Sequence, residues 1–448
     1  MIADIVRLSE ERVPRYTSFP TAPHFNTGID ANTYARWLTE LPEDEPLSLY
    51  LHVPFCHELC LYCGCHTTVV RTYRPISAYV DLLEREIAII RQTLGHARPA
   101  THIHWGGGTP TILQGEDLMR ISEALGSAFA VTSDAEIAFE IDPRTLDESH
   151  VAALAKSGMT RASLGVQDFD RKVQRAVNRM QSFEVTARVA RWLRAAGISG
   201  LNLDLMYGLP HQSEASVKRS VLRALELDPD RIALFGYAHV PWMKRHQNLL
   251  PQEHLPGAAA RYAQMCAASQ TIIDAGYVPI GLDHFAKPSD RLAQALEQGE
   301  LRRNFQGYTS DRTTTIVGFG TSSIGSLPQG YVQNAPKTVD YRDAIMAGRL
   351  ATQRGIALTA EDRLRRAIIE RLMCDLAVDV AGIATEFGHD PAALAPALSR
   401  VDELAQEGIA LREGNRVSVP EEARPLIRTV CAAFDPYLEG GAGKHSTA

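Results

Sequence analysis

Four of the chain's seven cysteines fall within ten residues, in the run Cys56-His-Glu-Leu-Cys60-Leu-Tyr-Cys63-Gly-Cys65. Thiolates this close together bind metal or exchange electrons, and the spacing selects among three versions of that chemistry. A structural zinc site takes four ligands, usually as two separated Cys-x-x-Cys halves. No second half exists here, although Cys65 with His57 or His66 could complete a set. A disulfide redox pair needs only two thiols. Three closely spaced thiolates suit three irons of a cubane cluster and leave the fourth iron open to another molecule. The spacing favours the iron–sulfur site, with zinc and redox-active thiols as the alternatives. Cys266, Cys374 and Cys431 lie far apart and read as small buried hydrophobes.

Such a loop needs a rigid frame, and from residue 48 onward strand and helix signals alternate. SLYLHV (48–53), THIHW (101–105), AEIAFEI (135–141), RASLGVQ (161–167), GLNLDLMYG (200–208) and RIALFGYA (231–238) read as strands. Helices are predicted over 77–94 and 116–129, with further helical stretches between the later strands. Regular β-then-α order means a parallel sheet, and six or more units suggest a barrel or partial barrel. The strands also alternate with period two. Leu49, Leu51 and Val53 alternate with Ser48, Tyr50 and His52, and Ile103 and Trp105 with His102 and His104. Ile137, Phe139 and Ile141 oppose Glu140 and Asp142; Leu164 and Val166 oppose Ser163, Gly165 and Gln167. Leu201, Leu203 and Leu205 oppose Asn202 and Asp204. One such strand would suit a half-solvated sheet, but five in series favour a polar lumen. Sites in this architecture sit at strand C-termini, and the cysteine run follows the first strand.

The remaining chain divides by composition. Residues 1–45 carry prolines at 14, 20, 23, 42 and 46 at its border, and read as an arm or lid around RYTSFPTAPHF. Residues 46–345 hold the alternating pattern. Residues 346–435 turn mainly helical, with LREGNRVSV as a small hairpin, and read as a winged-helix-like C-terminal domain; 436–448 read as a disordered tail. The net charge of −7 argues against nucleic acid as a partner, and no apolar run is long enough for a membrane helix. With no export signal in MIADIVRLSEERVPRY and no disulfide framework, a cytoplasmic location is expected.

Cys-x-x-x-Cys-x-x-Cys after the first strand of a βα series resembles the radical S-adenosylmethionine enzymes. HWGGGTPT (104–111) is similar to that superfamily's glycine motif, in which backbone carbonyls reach the methionine end of the cofactor. The extended motif through Cys65, the RYTSFPTAPHF arm (15–25) and GYAHVPWMKRHQ (236–247) narrow the resemblance to the oxygen-independent coproporphyrinogen III oxidases. It covers nearly the whole chain. The fold it implies is α/β: a partial TIM-like parallel (β/α) barrel of the radical SAM type, with an N-terminal arm and a mainly helical C-terminal domain. The activity it implies is oxidative decarboxylation of two propionates of coproporphyrinogen III to vinyl groups, giving protoporphyrinogen IX. The reaction would run through a 5′-deoxyadenosyl radical made by reductive cleavage of S-adenosylmethionine.

The resemblance also assigns residues. Cys56, Cys60 and Cys63 would hold a [4Fe-4S] cluster whose fourth iron has no cysteine ligand, and Cys65 would be catalytic rather than a ligand. Two S-adenosylmethionine molecules are implied. Tyr50, Tyr62, Gly107 and Glu140 would contact the first and Ile324 its adenine. Gly108, Thr109, Gln167, Arg179, Asp204 and Ala238 would bind the second. Tyr62 stands where the family often has phenylalanine. Phe305 and Gln306 match a segment near the active site, and the arm with Arg15 and Tyr16 would close over it. Arginines near the mouth should recognise the substrate's four carboxylates, without the sequence saying which. An unidentified electron donor and acceptor are implied, and a monomer is expected. The alternative is a haem-binding or haem-delivery protein of the same superfamily; such relatives typically lack the fourth cysteine and the arm.

Overall fold

A twelve-stranded sheet frames the molecule in the computed structural model, which describes residues 13–440. Its strands in chain order are β1 (Leu47–Val53), β2 (Pro99–Gly107), β3 (Ala130–Ile141), β4 (Arg161–Gln167), β5 (Gly200–Tyr207), β6 (Arg231–Gly236), β7 (Val278–Ile280), β8 (His284–Ala286), β9 (Ile316–Phe319), β10 (Ile324–Leu327), β11 (Gly330–Asn334) and β12 (Thr352–Ala357). The spatial order is β12-β11-β10-β9-β1-β2-β3-β4-β5-β6-β8-β7. Strands β1 to β6 are consecutive parallel neighbours, and β9 joins β1 in parallel from the other side. Both ends carry antiparallel strands, so the barrel is partial and stays open between β12 and β7. Crossovers run through α1 (Arg74–Leu94), α2 (Gly115–Ala128), α3 (Glu148–Lys156), α4 (Phe183–Ala195) and α5 (Glu214–Leu225); α6 (Ala258–Asp274) follows β6. The expected α/β partial barrel is the observed fold.

Period two decides which face packs. Leu49, Leu51 and Val53 are fully buried beneath the helices, while Ser48, Tyr50 and His52 turn inward. The apolar stripe of α1, including Ile76, Val80, Leu83, Ile87 and Ile90, recurs at helical spacing and packs into the same core. Each such side chain contributes roughly 1.5–3 kcal/mol by leaving water. Glu86 interrupts that stripe. Its carboxylate accepts from Gly320 N (2.6 Å), Asn334 Nδ2 (2.6 Å) and Tyr341 Oη (2.7 Å), which ties α1 to the turn after β9, the end of β11 and the helix Thr338–Met346.

The structure departs from three of the bounds read from sequence. Within the arm, Ala31–Thr39 is a helix whose Tyr34, Trp37 and Leu38 enter the main core, so only the stretch before it is a covering segment. The prolines that suggested an irregular arm flank this helix without interrupting it. Residues 352–357, assigned to the C-terminal domain, are the edge strand β12 of the main sheet. The second core begins at α7 (Ala360–Asp375), with three antiparallel strands at 377–379, 411–413 and 416–418. Tyr16 and Phe19 insert into this second core rather than into the barrel's. Tyr437, assigned to the tail, donates to Asp362 Oδ1 (2.9 Å) and packs edge-on against Phe19. Residues 1–12 of the arm and 441–448 of the tail lie outside the described residues.

Candidate active site

The cysteine loop leaves β1 and is held from three sides. The segment after β4 accepts and donates across to it: Leu61 N donates to Val177 O (2.9 Å) and Asn178 Nδ2 to Leu59 O (2.9 Å). The segment after β6 holds the far end, with Gln247 Nε2 donating to Tyr62 O (3.1 Å), His246 Nε2 to Cys63 O (2.8 Å) and Lys244 Nζ to Cys65 O (2.8 Å). From β1 itself, His52 Nε2 donates to His66 O (2.9 Å), leaving Nδ1 to accept from Tyr50 Oη (3.0 Å). The GYAHVPWMKRHQ segment therefore acts as a backbone clamp, a role its resemblance did not supply.

Each of Cys56, Cys60 and Cys63 receives hydrogen-bond donors. Thr67 Oγ1 (3.1 Å) and Thr109 Oγ1 (3.5 Å) donate to Cys56 Sγ. Arg179 Nη1 (3.5 Å) and Arg144 Nη2 (3.8 Å) donate to Cys60 Sγ. The hydrogen bond from Cys65, with the backbone there, brings the Cys63 thiol down to about 7 and raises that of Cys65. Burial pushes Cys56 up against its two hydroxyls. Three sulfurs, each with donors aimed at it, suit negatively charged thiolates bound to iron.

The glycine motif follows β2. Gly107 has φ +114°, and a Cβ there would lie 2.8 Å from the His52 ring. A Cβ on Gly108 would meet Phe55 O at 2.6 Å and Thr67 Oγ1 at 2.7 Å. The chain can approach the cysteine loop this closely only without side chains. Gly108 N and Thr109 N donate to Val53 O and Phe55 O (both 2.8 Å), locking β2's end to the loop. Glu140 sits beside this turn, accepting from Gly107 N (3.2 Å) and His104 Nε2 (3.2 Å).

Arg179 bridges two sets of expected residues. It reaches Cys60, the Asp142 carboxylate (3.2 and 3.3 Å) and Gly165 O (2.5 Å), and it adjoins Tyr62. Burial alone would raise Asp142, but Arg179 and then Arg144 hold its carboxyl below the usual range. Gln167 ends β4 with φ +67°. Deeper in the lumen, Asp204 accepts from Ser163 Oγ (2.9 Å) and Asn202 Nδ2 (2.7 Å), and burial pushes it up to about 6. Ala238 offers its carbonyl to Gln247 Nε2 (3.3 Å). Ile324 opens β10 on the other side of Tyr50, whose partner in β9 is Gly318, and packs with Phe25, Tyr331 and Phe305. Tyr50, Gly107 and Glu140 come from the adjacent strands β1, β2 and β3, with Asp204 farther round the sheet on β5. Below them, Arg161 with Glu136 (3.2 Å) and Arg231 with Asp290 (2.8 Å) form a charged floor.

The lumen opens into two cavities of about 210 and 260 Å³ that share Phe235, His284 and Gln306. Arg15 from the arm, Arg261 from α6, Arg303 and, from the C-terminal unit, Arg428 all line the first. Arg303 Nε and Nη1 and Arg428 Nε are buried there without hydrogen-bond partners among the described residues. Asp283 accepts from His284 Nδ1 (2.7 Å), and its carboxyl falls to about 2 where the histidine, Arg303 and Arg15 outweigh burial. Sequence reading missed Arg261, Asp283, His284, Arg303 and Arg428. The GLDHFAK run bore a charged pair between two short strands, but the three-residue strands gave too little period to register.

The chain matches the Radical SAM superfamily over residues 50–224 and the HemN C-terminal domain over residues 358–426. It is 53% identical to an oxygen-independent coproporphyrinogen III oxidase of Bradyrhizobium diazoefficiens over 100% of both chains. It is 38% identical to one of Salmonella typhimurium, over 95% of this chain and 93% of the relative. Among solved structures, Coproporphyrinogen III oxidase (HemN) from Escherichia coli, a radical SAM enzyme, superposes with a TM-score of 0.90 at 36% identity, covering 94% of this chain and 97% of that one.

Proposed function

This chain belongs to the oxygen-independent coproporphyrinogen III oxidase family of the radical SAM superfamily, and from that premise we propose how its residues divide the work. The reaction is anaerobic oxidative decarboxylation of two propionates of coproporphyrinogen III to vinyl groups, giving protoporphyrinogen IX in haem biosynthesis. When bound, the [4Fe-4S] cluster and S-adenosylmethionine supply a primary carbon radical able to remove hydrogen from a propionate β-carbon. Cys56, Cys60 and Cys63 hold that cluster and leave one iron without a cysteine ligand. Tyr50, Gly107, Glu140 and Ile324 position the first S-adenosylmethionine, with Tyr62 beside it. Gly108, Thr109, Gln167, Arg179, Asp204 and Ala238 position the second. The arrangement of Glu140 between Gly107 and His104 supports the first assignment, because its remaining acceptor sites face the lumen.

The observation that carries the substrate assignment is the convergence of Arg15, Arg261, Arg303 and Arg428 on one cavity. Guanidiniums there answer a substrate with four carboxylates, in a protein whose net charge of −7 would otherwise repel it. Arg15 arrives on the arm and Arg428 on the C-terminal unit, so both segments cover the bound substrate and exclude water from it. Cys65, exposed at the end of the cysteine loop beside Cys63, stands as the catalytic thiol. We place the reaction in the cytoplasm, with the chain acting as a monomer; all seven cysteines are free thiols, which suits a reducing compartment. No observation favours the haem-delivery alternative.

The test is incubation of the reconstituted protein with dithionite, S-adenosylmethionine and coproporphyrinogen III under strict anaerobiosis. Protoporphyrinogen and 5′-deoxyadenosine should both form. Absence of both, with a full cluster present, would overturn the reading.

A further inference from the structure

Outside the lumen, an arginine-lined groove of about 870 Å³ lies beside the cysteine loop. Arg144, Arg171, Arg188, Arg219 and Arg223 line it, against two acidic residues, Asp170 and Glu184. The chain as a whole carries −7, so this excess of cations is local. We propose that the groove is the docking surface for a small acidic protein that carries one electron to the cluster. The inference rests on the cluster reading above, because only a reducible group behind the groove gives a carrier something to do.

The groove wall lies close to a cluster ligand. Arg144 lines the groove, and its Nη2 lies 3.8 Å from Cys60 Sγ while its Nη1 reaches Glu58 (3.1 Å). One side chain therefore separates the groove wall from a cluster ligand, and electron tunnelling falls off exponentially with distance. The groove is also fixed to the loop it serves. The segment carrying Arg171 continues to Val177 and Asn178, which hold the backbone of Leu61 and Leu59.

Phe183 lies beneath the Arg223 guanidinium at 3.9 Å, and exposed Met180 adjoins it, so a small apolar centre is ringed by charge. That layout suits a transient complex steered by electrostatics, for which small interfaces suffice. The groove shares no lining residue with either lumen cavity, so a carrier can dock while substrate is in place. A nucleic acid is the less suited occupant. Glu58, Asp170, Glu184 and Glu226 break the continuous basic run that a regularly spaced phosphate backbone needs, whereas an acidic protein can set its carboxylates against Arg171, Arg188 and Arg219 alone.

The exchange is a single electron. The carrier is oxidised by one electron, which is consumed in breaking a carbon–sulfur bond of S-adenosylmethionine to give methionine and the 5′-deoxyadenosyl radical. No proton or group passes between the carrier and this chain.

The decisive comparison uses the cluster-loaded protein and its triple variant Arg188→Glu, Arg219→Glu, Arg223→Glu, none of which touches the lumen. The probe is an acidic flavodoxin, titrated calorimetrically and then, photoreduced, used to drive 5′-deoxyadenosine formation. The Kd should rise about tenfold or more in the variant, and wild-type affinity should weaken as salt is added. The flavodoxin concentration for half-maximal turnover should rise by a similar factor, while dithionite-driven turnover stays at the wild-type rate. Should the triple variant not fold, Arg188→Gln with Arg219→Gln removes two charges conservatively and is expected to weaken binding in the same direction. Unchanged flavodoxin affinity in a folded variant would overturn the proposal, and so would displacement of flavodoxin by an equimolar short RNA. Failure of dithionite-driven turnover in the wild type would instead count against the assigned reaction, since the binding measurement stands apart from it.

Discussion

Cys65 is exposed, whereas Cys60 is buried and Cys56 and Cys63 are half-buried. The hydroxyls and guanidiniums that hold Cys56 and Cys60 have no counterpart at its sulfur, which instead adjoins Cys63. Cys65→Ser should therefore keep the cluster's visible absorbance and lose turnover, while Cys60→Ser loses both; a Cys65 variant without cluster would make that residue a ligand. Gly108→Ala places a methyl 2.6 Å from a carbonyl oxygen that cannot withdraw. The resulting strain of ~1–3 kcal/mol should weaken S-adenosylmethionine binding about tenfold or more, measured by calorimetry. Glu86 gives a pH signature. Burial raises its carboxyl from 4.5 to about 7 against three donors, so the stability present below pH 4.5 is lost as pH rises through about 7. The Tm should fall across that window, and Glu86→Gln should flatten the slope in scanning fluorimetry.

At the scale of elements, the cysteine loop is positioned by neighbours more than by its own sequence. The segments after β4 and β6 bond its backbone at Leu59, Leu61, Tyr62, Cys63 and Cys65. Gln247 is buried and central to this, donating also to Ala238 O and accepting from Val240 N (2.6 Å). Gln247→Ala leaves those groups unsatisfied, at about 1–3 kcal/mol each where water cannot enter. It should lower iron content after reconstitution and speed cluster loss in air, with the barrel's far-UV dichroism unchanged. Equal iron content in the variant would show that the β4 side alone suffices. Strand periodicity was legible because alternation is written in consecutive residues; the short strands β7 and β8 were not, because three residues hold too little period.

At the scale of the whole molecule, the arm is stapled to the C-terminal unit across the cavity mouth. Phe19 is 1% exposed in the second core, and Tyr16 Oη donates to Asp435 (3.0 Å). Phe19→Ala should cost about 3–5 kcal/mol of that attachment. Limited proteolysis would then cut the arm sooner, and KM for coproporphyrinogen should rise while iron content stays constant. An unchanged KM would separate the arm from substrate binding.

By itself the sequence narrowed the cysteine chemistry to metal or redox work, favouring an iron–sulfur site, and determined the parallel α/β frame and the polar inner face. Each of these is a local property: Cys56, Cys60 and Cys63 lie within one loop, and an alternating strand declares its two faces before it meets a neighbour. The sequence also marked Gly107 and Gly108 as a close turn without saying what approached them. Only the tertiary structure decided that His52, Phe55 and Thr67 fill the space where their side chains would go. Only the folded chain, likewise, brings Arg15, Arg261, Arg303 and Arg428 to one cavity from four distant segments. The physical reason is that convergence depends on how layers pack, through burial summed over the whole core, and no spacing within a single segment records it.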